Sequence, residues 1–130
     1  MPLVKIEMLA GKSPAYKKEL LDNVHQALVD TLKIPDSDRI QRLYELDRDH
    51  FEISANKTEN FILIELTIFQ GRSFEAKKNL YKTTVDYLEK ALRINRNDIM
   101  IVINEPPLEN WGLAGGKPAS EVDFGFNIKV

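Results

Sequence analysis

The chain contains no cysteine, so disulfide frameworks, thiolate metal sites and cysteine nucleophiles are excluded. It lacks an excess of positive charge. Eighteen Lys and Arg stand against 20 Asp and Glu, a net charge of -2, which argues against a nucleic-acid protein because such a protein needs a basic face. Histidine is scarce: His25 and His50 have no matching carboxylate spacing and do not read as a metal site. The longest apolar run, Phe61 to Phe69, is broken by Glu65 and is too short to span a bilayer. Lys5 and Glu7 interrupt the amino-terminal stretch, so no secretory signal is read and a cytoplasmic location is expected. P-loop, dinucleotide and Gly-x-Ser-x-Gly patterns are absent from the sequence. What remains is an ordinary globular balance, 43% hydrophobic and 29% charged, over 130 residues, which predicts one domain spanning 1–130.

The most informative feature is an internal repeat. Gly11 and Gly71 stand 60 positions apart. At the same offset Leu3 meets Leu63, Ser13 meets Ser73, Lys17-Lys18 meets Lys77-Lys78, and Leu20, Leu28 and Leu32 meet Leu80, Leu88 and Leu92. Ile34 meets Ile94, Asp38 meets Asp98, and no gap is needed. Repeat one covers about 2–59, repeat two about 60–105, and a carboxy-terminal loop and strand 106–130.

Each repeat reads as strand, turn, helix, strand. Leu3 to Leu9 and Phe61 to Phe69 have strand composition. A glycine follows each strand, and Ser13 and Ser73 occupy the N-cap position, with Pro14 suited to the first helical place. Apolar residues at helical spacing predict a helix from about Pro14 to Leu32, ended by Pro35, and a partner helix carrying Leu80, Tyr81, Thr84, Tyr87, Leu88 and Leu92. Second strands follow at about Ile40 to Leu46 and Ile99 to Ile103. Two β-α-β units with right-handed crossovers give an α+β fold: a four-stranded sheet with both helices on one face. The other face carries too much Ile, Val and Phe to meet water and is expected to be buried in an oligomer. In the tail, Phe124 to Ile128 reads as a short strand for the same or a neighbouring subunit.

Several residues admit a chemical role. Pro2 directly precedes a strand, and removal of Met1 would leave a secondary amine able to act as base, acid or nucleophile. Taken alone, the feature favours the plainer reading that the ring simply starts an edge strand. Arg72 opens the second helix, where a cation opposes the helix dipole but helps to form a carboxylate site; a solvated surface charge is the competing reading. Asp38 suits acid-base work, yet Asp98 at the matching place favours a shared turn. Trp111 either walls a pocket or anchors its loop.

Together Pro2-Leu3, Ile34-Pro35 running to Asp38-Arg39, the strand leading into Gly71-Arg72-Ser73, and Asn110-Trp111-Gly112 resemble the tautomerase superfamily, most of all its malonate semialdehyde decarboxylase branch. The resemblance implies a homotrimer that uses no cofactor or metal, acts on a small oxo acid, and binds neither nucleic acid nor membrane. It implies Pro2 as the catalytic amine, Arg72 as the carboxylate binder and Asp38 as the residue that assists decarboxylation or orients water. Trp111 would belong to a hydrophobic wall with Phe124 or Phe126. That branch usually carries two arginines in the strand-to-helix turn, and Gln70 takes the first position here. Gln70 at the substrate predicts weaker carboxylate binding or a different substrate. A missing cation and a neighbouring Asp38 would both raise the pKa of the amine, favouring a protonated proline that polarises a carbonyl; burial acts the other way. Decarboxylation of a 3-oxo acid leads, with keto-enol tautomerisation of a phenylpyruvate-like 2-oxo acid and a non-catalytic binding module as the alternatives.

Overall fold

The computed structural model describes residues 2–130. Repeat one forms β1 (Leu3–Leu9), α1 (Pro14–Leu32) and β2 (Ile40–Leu46); repeat two forms β3 (Ile62–Thr67), α2 (Phe74–Leu92) and β4 (Ile99–Asn104). The cap chemistry repeats with the sequence. Ser13 Oγ accepts from the Tyr16 N–H and Ser73 Oγ from the Ala76 N–H, satisfying a free donor in the first turn of each helix. Both helices end in a left-handed residue that is not glycine, Lys33 at φ 58° and Arg93 at φ 56°.

The sheet order is β2-β1-β3-β4. Strands within a repeat are parallel, and β1 and β3 meet antiparallel at the junction of the repeats. Alternation along the central strands sends Val4, Ile6, Met8, Ile62, Ile64 and Leu66 toward the helices, where they pack with Leu20, Val24, Leu28, Leu32, Leu80 and Leu88. At about 25 cal/mol per Å2 of apolar surface, this layer is the main stabilising term.

The opposite sheet face is more polar than its sequence suggested. Its centre is the charged row of Lys5, Glu7 and Glu65, with Lys5 Nζ 3.9 Å from Glu7 and 3.8 Å from Glu65. Its most exposed apolar residues lie on the edge strands, where Ile40, Tyr44, Met100 and Val102 are 40–47% exposed, while Leu3 and Leu63 on the central strands are half-buried. Most of the Ile and Val of β1 and β3 is spent on the helix side.

Of the two placements expected for the tail, the one in this chain's own sheet is not taken. Phe124 to Ile128 forms no strand within this chain. After a small hairpin of β5 (Gly112–Leu113) and β6 (Lys117–Pro118), the chain folds back over the start of α2. The Ser73 N–H donates to Val130 O at 2.9 Å, and a Cβ built on Gly71 would lie 3.0 Å from Ile128 O. Among the described residues no helix is long and apolar enough to cross a membrane.

Candidate active site

Strand register brings Pro2, Asp38 and Arg72 to one end of the sheet. Leu3 lies opposite Ile40 on one side and Thr67 on the other. Buried Pro2 therefore enters between the turn carrying Asp38 and the chain running from Ile68 to Arg72. Met1, whose removal frees the Pro2 nitrogen, lies outside the described residues.

A cavity of about 460 Å3 opens here, with Ser37 and Asp38 on one side and Phe69, Leu113, Phe124 and Phe126 on the other. Phe69 organises the wall. It stacks on Phe124 at 4.4 Å and 19°, and meets Trp111 edge-on at 4.7 Å and 61°. Trp111 is held by its Nε1–H, which donates to Pro106 O at 3.2 Å. Trp111 thus both anchors its loop and buttresses the wall through Phe69, while Phe124 lines the cavity.

Arg72 is only 6% exposed. Its Nη1 donates to Phe69 O at 3.2 Å, and its buried Nε has no hydrogen-bond partner. Burial pushes the guanidinium pKa down, while Glu105 and then Asp38 act in the opposite direction. A desolvated cation with an unused donor beside a helix N-terminus is poised for an anion. Gln70, two residues before Arg72, is exposed, and its Nε2 donates to the backbone oxygen of Glu105, whose charge acts on Arg72, at 3.4 Å.

The two repeats share a turn but not its use. Asp38 N–H donates to Pro35 O at 3.0 Å, and Asp98 N–H to Asn95 O at 2.9 Å. The Asp98 carboxylate is buried and accepts from Thr58 N at 2.8 Å and Thr58 Oγ1 at 2.5 Å. Lys12, the counterpart of Arg72, bonds to Asn60 Oδ1. At the repeat-related end the 58–60 segment engages both Asp98 and Lys12, and the cavity there, about 380 Å3 between Gly11-Lys12 and Asp47-Arg48, has no aromatic residue in its lining, unlike the one at Asp38.

Sequence reasoning left His25 without a role. It is 3% exposed in α1, and its Nε2 lies 2.9 Å from Asp36 O and 3.1 Å from Asp36 Oδ1. Its position between Val24 and Ala27 on the buried stripe was the available signal. Among the described residues no group of three His, Asp or Glu could hold a metal ion.

Fold and cavity together define a small α+β enzyme in which two β-α-β units frame an apolar pocket beside one buried cation. A model of tautomerase enzymes matches residues 38–114, and a second such model matches residues 2–55. The chain belongs to the tautomerase superfamily. It is 28% identical over 122 residues to the probable tautomerase YusQ of Bacillus subtilis, covering 90% of this chain and 96% of that protein. A solved malonate semialdehyde decarboxylase superposes with a TM-score of 0.81 at 25% identity, over 89% of this chain and 93% of that one, which supports that branch. A fused 4-OT described as a symmetric trimer shares the fold, with a TM-score of 0.79 at 24% identity over 91% and 96% of the two chains.

Proposed function

We propose that the protein is a cofactor-independent enzyme that decarboxylates a small 3-oxo acid of the malonate semialdehyde type, with Pro2 acting once Met1 is removed. The observation that carries this reading is the pairing of an apolar, aromatic-walled cavity with the buried, under-bonded Arg72 next to Asp38. Arg72 holds the substrate carboxylate. The Pro2 ammonium donates to the 3-oxo oxygen. The bond from Cα to the carboxylate carbon breaks and carbon dioxide leaves. Its electron pair forms the enol, which takes the Pro2 proton on oxygen; a proton from water then adds at Cα while the enol O–H proton returns to Pro2, giving the aldehyde or ketone and restoring the ammonium. Charge disperses along this path, so a poorly solvating wall favours the transition state over the localised carboxylate. The Asp38 carboxylate repels the substrate carboxylate and stabilises the ammonium.

One observation favours a second reaction. The stacked Phe69 and Phe124 line more space than a three-carbon acid needs, which suits keto-enol tautomerisation of an aryl 2-oxo acid. Incubation with matched 3-oxo and 2-oxo acids, followed by proton NMR, separates the two. Loss of carbon dioxide from the 3-oxo acids supports the first reading. Enol formation from aryl 2-oxo acids without any decarboxylation replaces it with the second.

We also infer a homotrimer. Covering Ile40, Tyr44, Met100 and Val102 together with the Lys5–Glu7–Glu65 row calls for a partner surface that is itself mixed, as a copy of the same face would be. The fused 4-OT trimer has the same fold. A stable monomer in sedimentation at micromolar concentration would contradict this assembly.

A further inference from the structure

We propose that His25 is a positioning residue for the site: it clamps the 35–38 turn and thereby fixes where the Asp38 carboxylate sits in the cavity. The inference rests on the reading of Asp38 given above. Asp36 O is an acceptor only, so His25 Nε2 must carry the hydrogen of the 2.9 Å bond. The same N–H also faces Asp36 Oδ1 at 3.1 Å. Both the neutral Nε2–H tautomer and the imidazolium supply this donor.

The turn it holds is short. Asp38 N–H closes it on Pro35 O, and Pro35, Ser37 and Asp38 all border the cavity. The clamped carbonyl lies inside that turn, two residues before Asp38. The donor comes from the middle of a 19-residue helix whose neighbouring side chains are in the core, so it is a rigid support.

Comparison of the repeats shows that the clamp is specific to the site. At the matching place in α2 stands Val85, which has no donor. The matching turn is held by different means: Asn95 Oδ1 accepts from Asn97 N–H at 2.9 Å, and Thr58 saturates Asp98. A turn that only had to fold could use that local solution twice. The turn whose carboxylate borders the cavity is instead held from beneath, leaving its open side to the cavity.

The test uses His25→Leu and His25→Gln in the full chain, with Asp38→Asn alone and combined with His25→Leu. Amide hydrogen exchange reads the clamp without reference to turnover. In His25→Leu the Asp38 amide should exchange about 2- to 12-fold faster, the range that one neutral hydrogen bond spans, while amides of β1 and β3 stay protected. His25→Gln, which places an N–H at similar reach, should restore protection. Turnover of the best oxo acid should fall by the same range in kcat with KM nearly unchanged, and recover in His25→Gln. With Asp38→Asn already present, His25→Leu should cost nothing further. Unchanged exchange at Asp38 overturns the clamp, and a fully additive loss in the double variant overturns its action through Asp38. Full activity of Asp38→Asn contradicts the reading of Asp38 itself and removes the catalytic part of this inference with it, whereas the exchange result stands apart from that reading.

Discussion

Replacing Arg72 by Met should make the protein more stable and less active at once. Arg72 is 6% exposed; among the described residues its Nε has no partner, and its Nη1 donates to the neutral carbonyl of Phe69. Such a cation carries a desolvation cost that the fold only partly offsets through Glu105 and Asp38. Met is of similar length and has no charge to desolvate. Removing buried charge in favour of packed apolar groups is neutral to stabilising by about 1–4 kcal/mol. Loss of the Phe69 bond and of the two carboxylate attractions brings the expected gain to about 1 kcal/mol. For a domain of this size that is a rise in Tm of about 3–6 °C. If Arg72 holds the substrate carboxylate as proposed, the same change deletes a charged hydrogen bond worth about 1.5–3 kcal/mol, so kcat/KM should fall about 10- to 150-fold. Thermal unfolding and steady-state kinetics at one protein concentration measure both, since assembly makes Tm concentration-dependent. If Tm falls by several degrees while kcat/KM is retained, Arg72 is a structural residue and the reasoning fails.

Two further outcomes follow from local geometry. Arg93 ends α2 at φ 56°, a conformation that costs a residue with a Cβ about 1–2 kcal/mol, so Arg93→Gly should raise stability by about 0.5 kcal/mol once the extra freedom of glycine in the unfolded chain is counted; a drop in the urea midpoint would contradict it. Asp30 is held below the ordinary carboxylate range first by the Tyr87 hydroxyl, which donates at 2.5 Å, and then by Gln26. Its folded pKa is depressed, so its contribution is present above the unfolded value of about 3.9 and is lost as pH falls through the folded value. Urea midpoints between pH 6 and pH 3 should therefore fall less for Asp30→Asn than for the parent, and equal slopes would refute the interaction.

The sequence carried the frame of the fold because the frame is local and repeated. Helical spacing, Ser caps and the 60-residue offset placed α1 at Pro14–Leu32 and β2 at Ile40–Leu46, where the structure has them. Within this chain the tail forms no strand, for a physical reason. Phe124, Phe126 and Ile128 alternate as a strand would, but alternation also suits a segment that lays every second side chain on an apolar surface. Here Phe124 stacks on Phe69, and the backbone beyond finds its donor at Ser73 instead of a neighbouring strand. The repeat also predicted one shared turn for Asp38 and Asp98, and the turns do match. What differs is the contact each turn makes: Thr58, past the stretch in which the repeats show matched residues, holds Asp98, and Asn60 takes Lys12. Solvation was invisible as well: nothing in a string of letters distinguishes an exposed arginine from Arg72 with its unused Nε. His25 drew no role because two histidines far apart were tested only as metal ligands, and a helix residue serving a turn 11 positions later has no motif.

The central claim is that the Pro2 nitrogen does the chemistry. It is tested most directly by comparing the chain beginning at Pro2 with the chain retaining Met1, both assayed on the same 3-oxo acid by proton NMR. In the first the nitrogen is a free secondary amine; in the second it is an amide that can neither hold nor give up a proton near neutral pH. Turnover by the chain beginning at Pro2, with at most background rates when Met1 is present, is the predicted result. Equal turnover by both would contradict the proline mechanism.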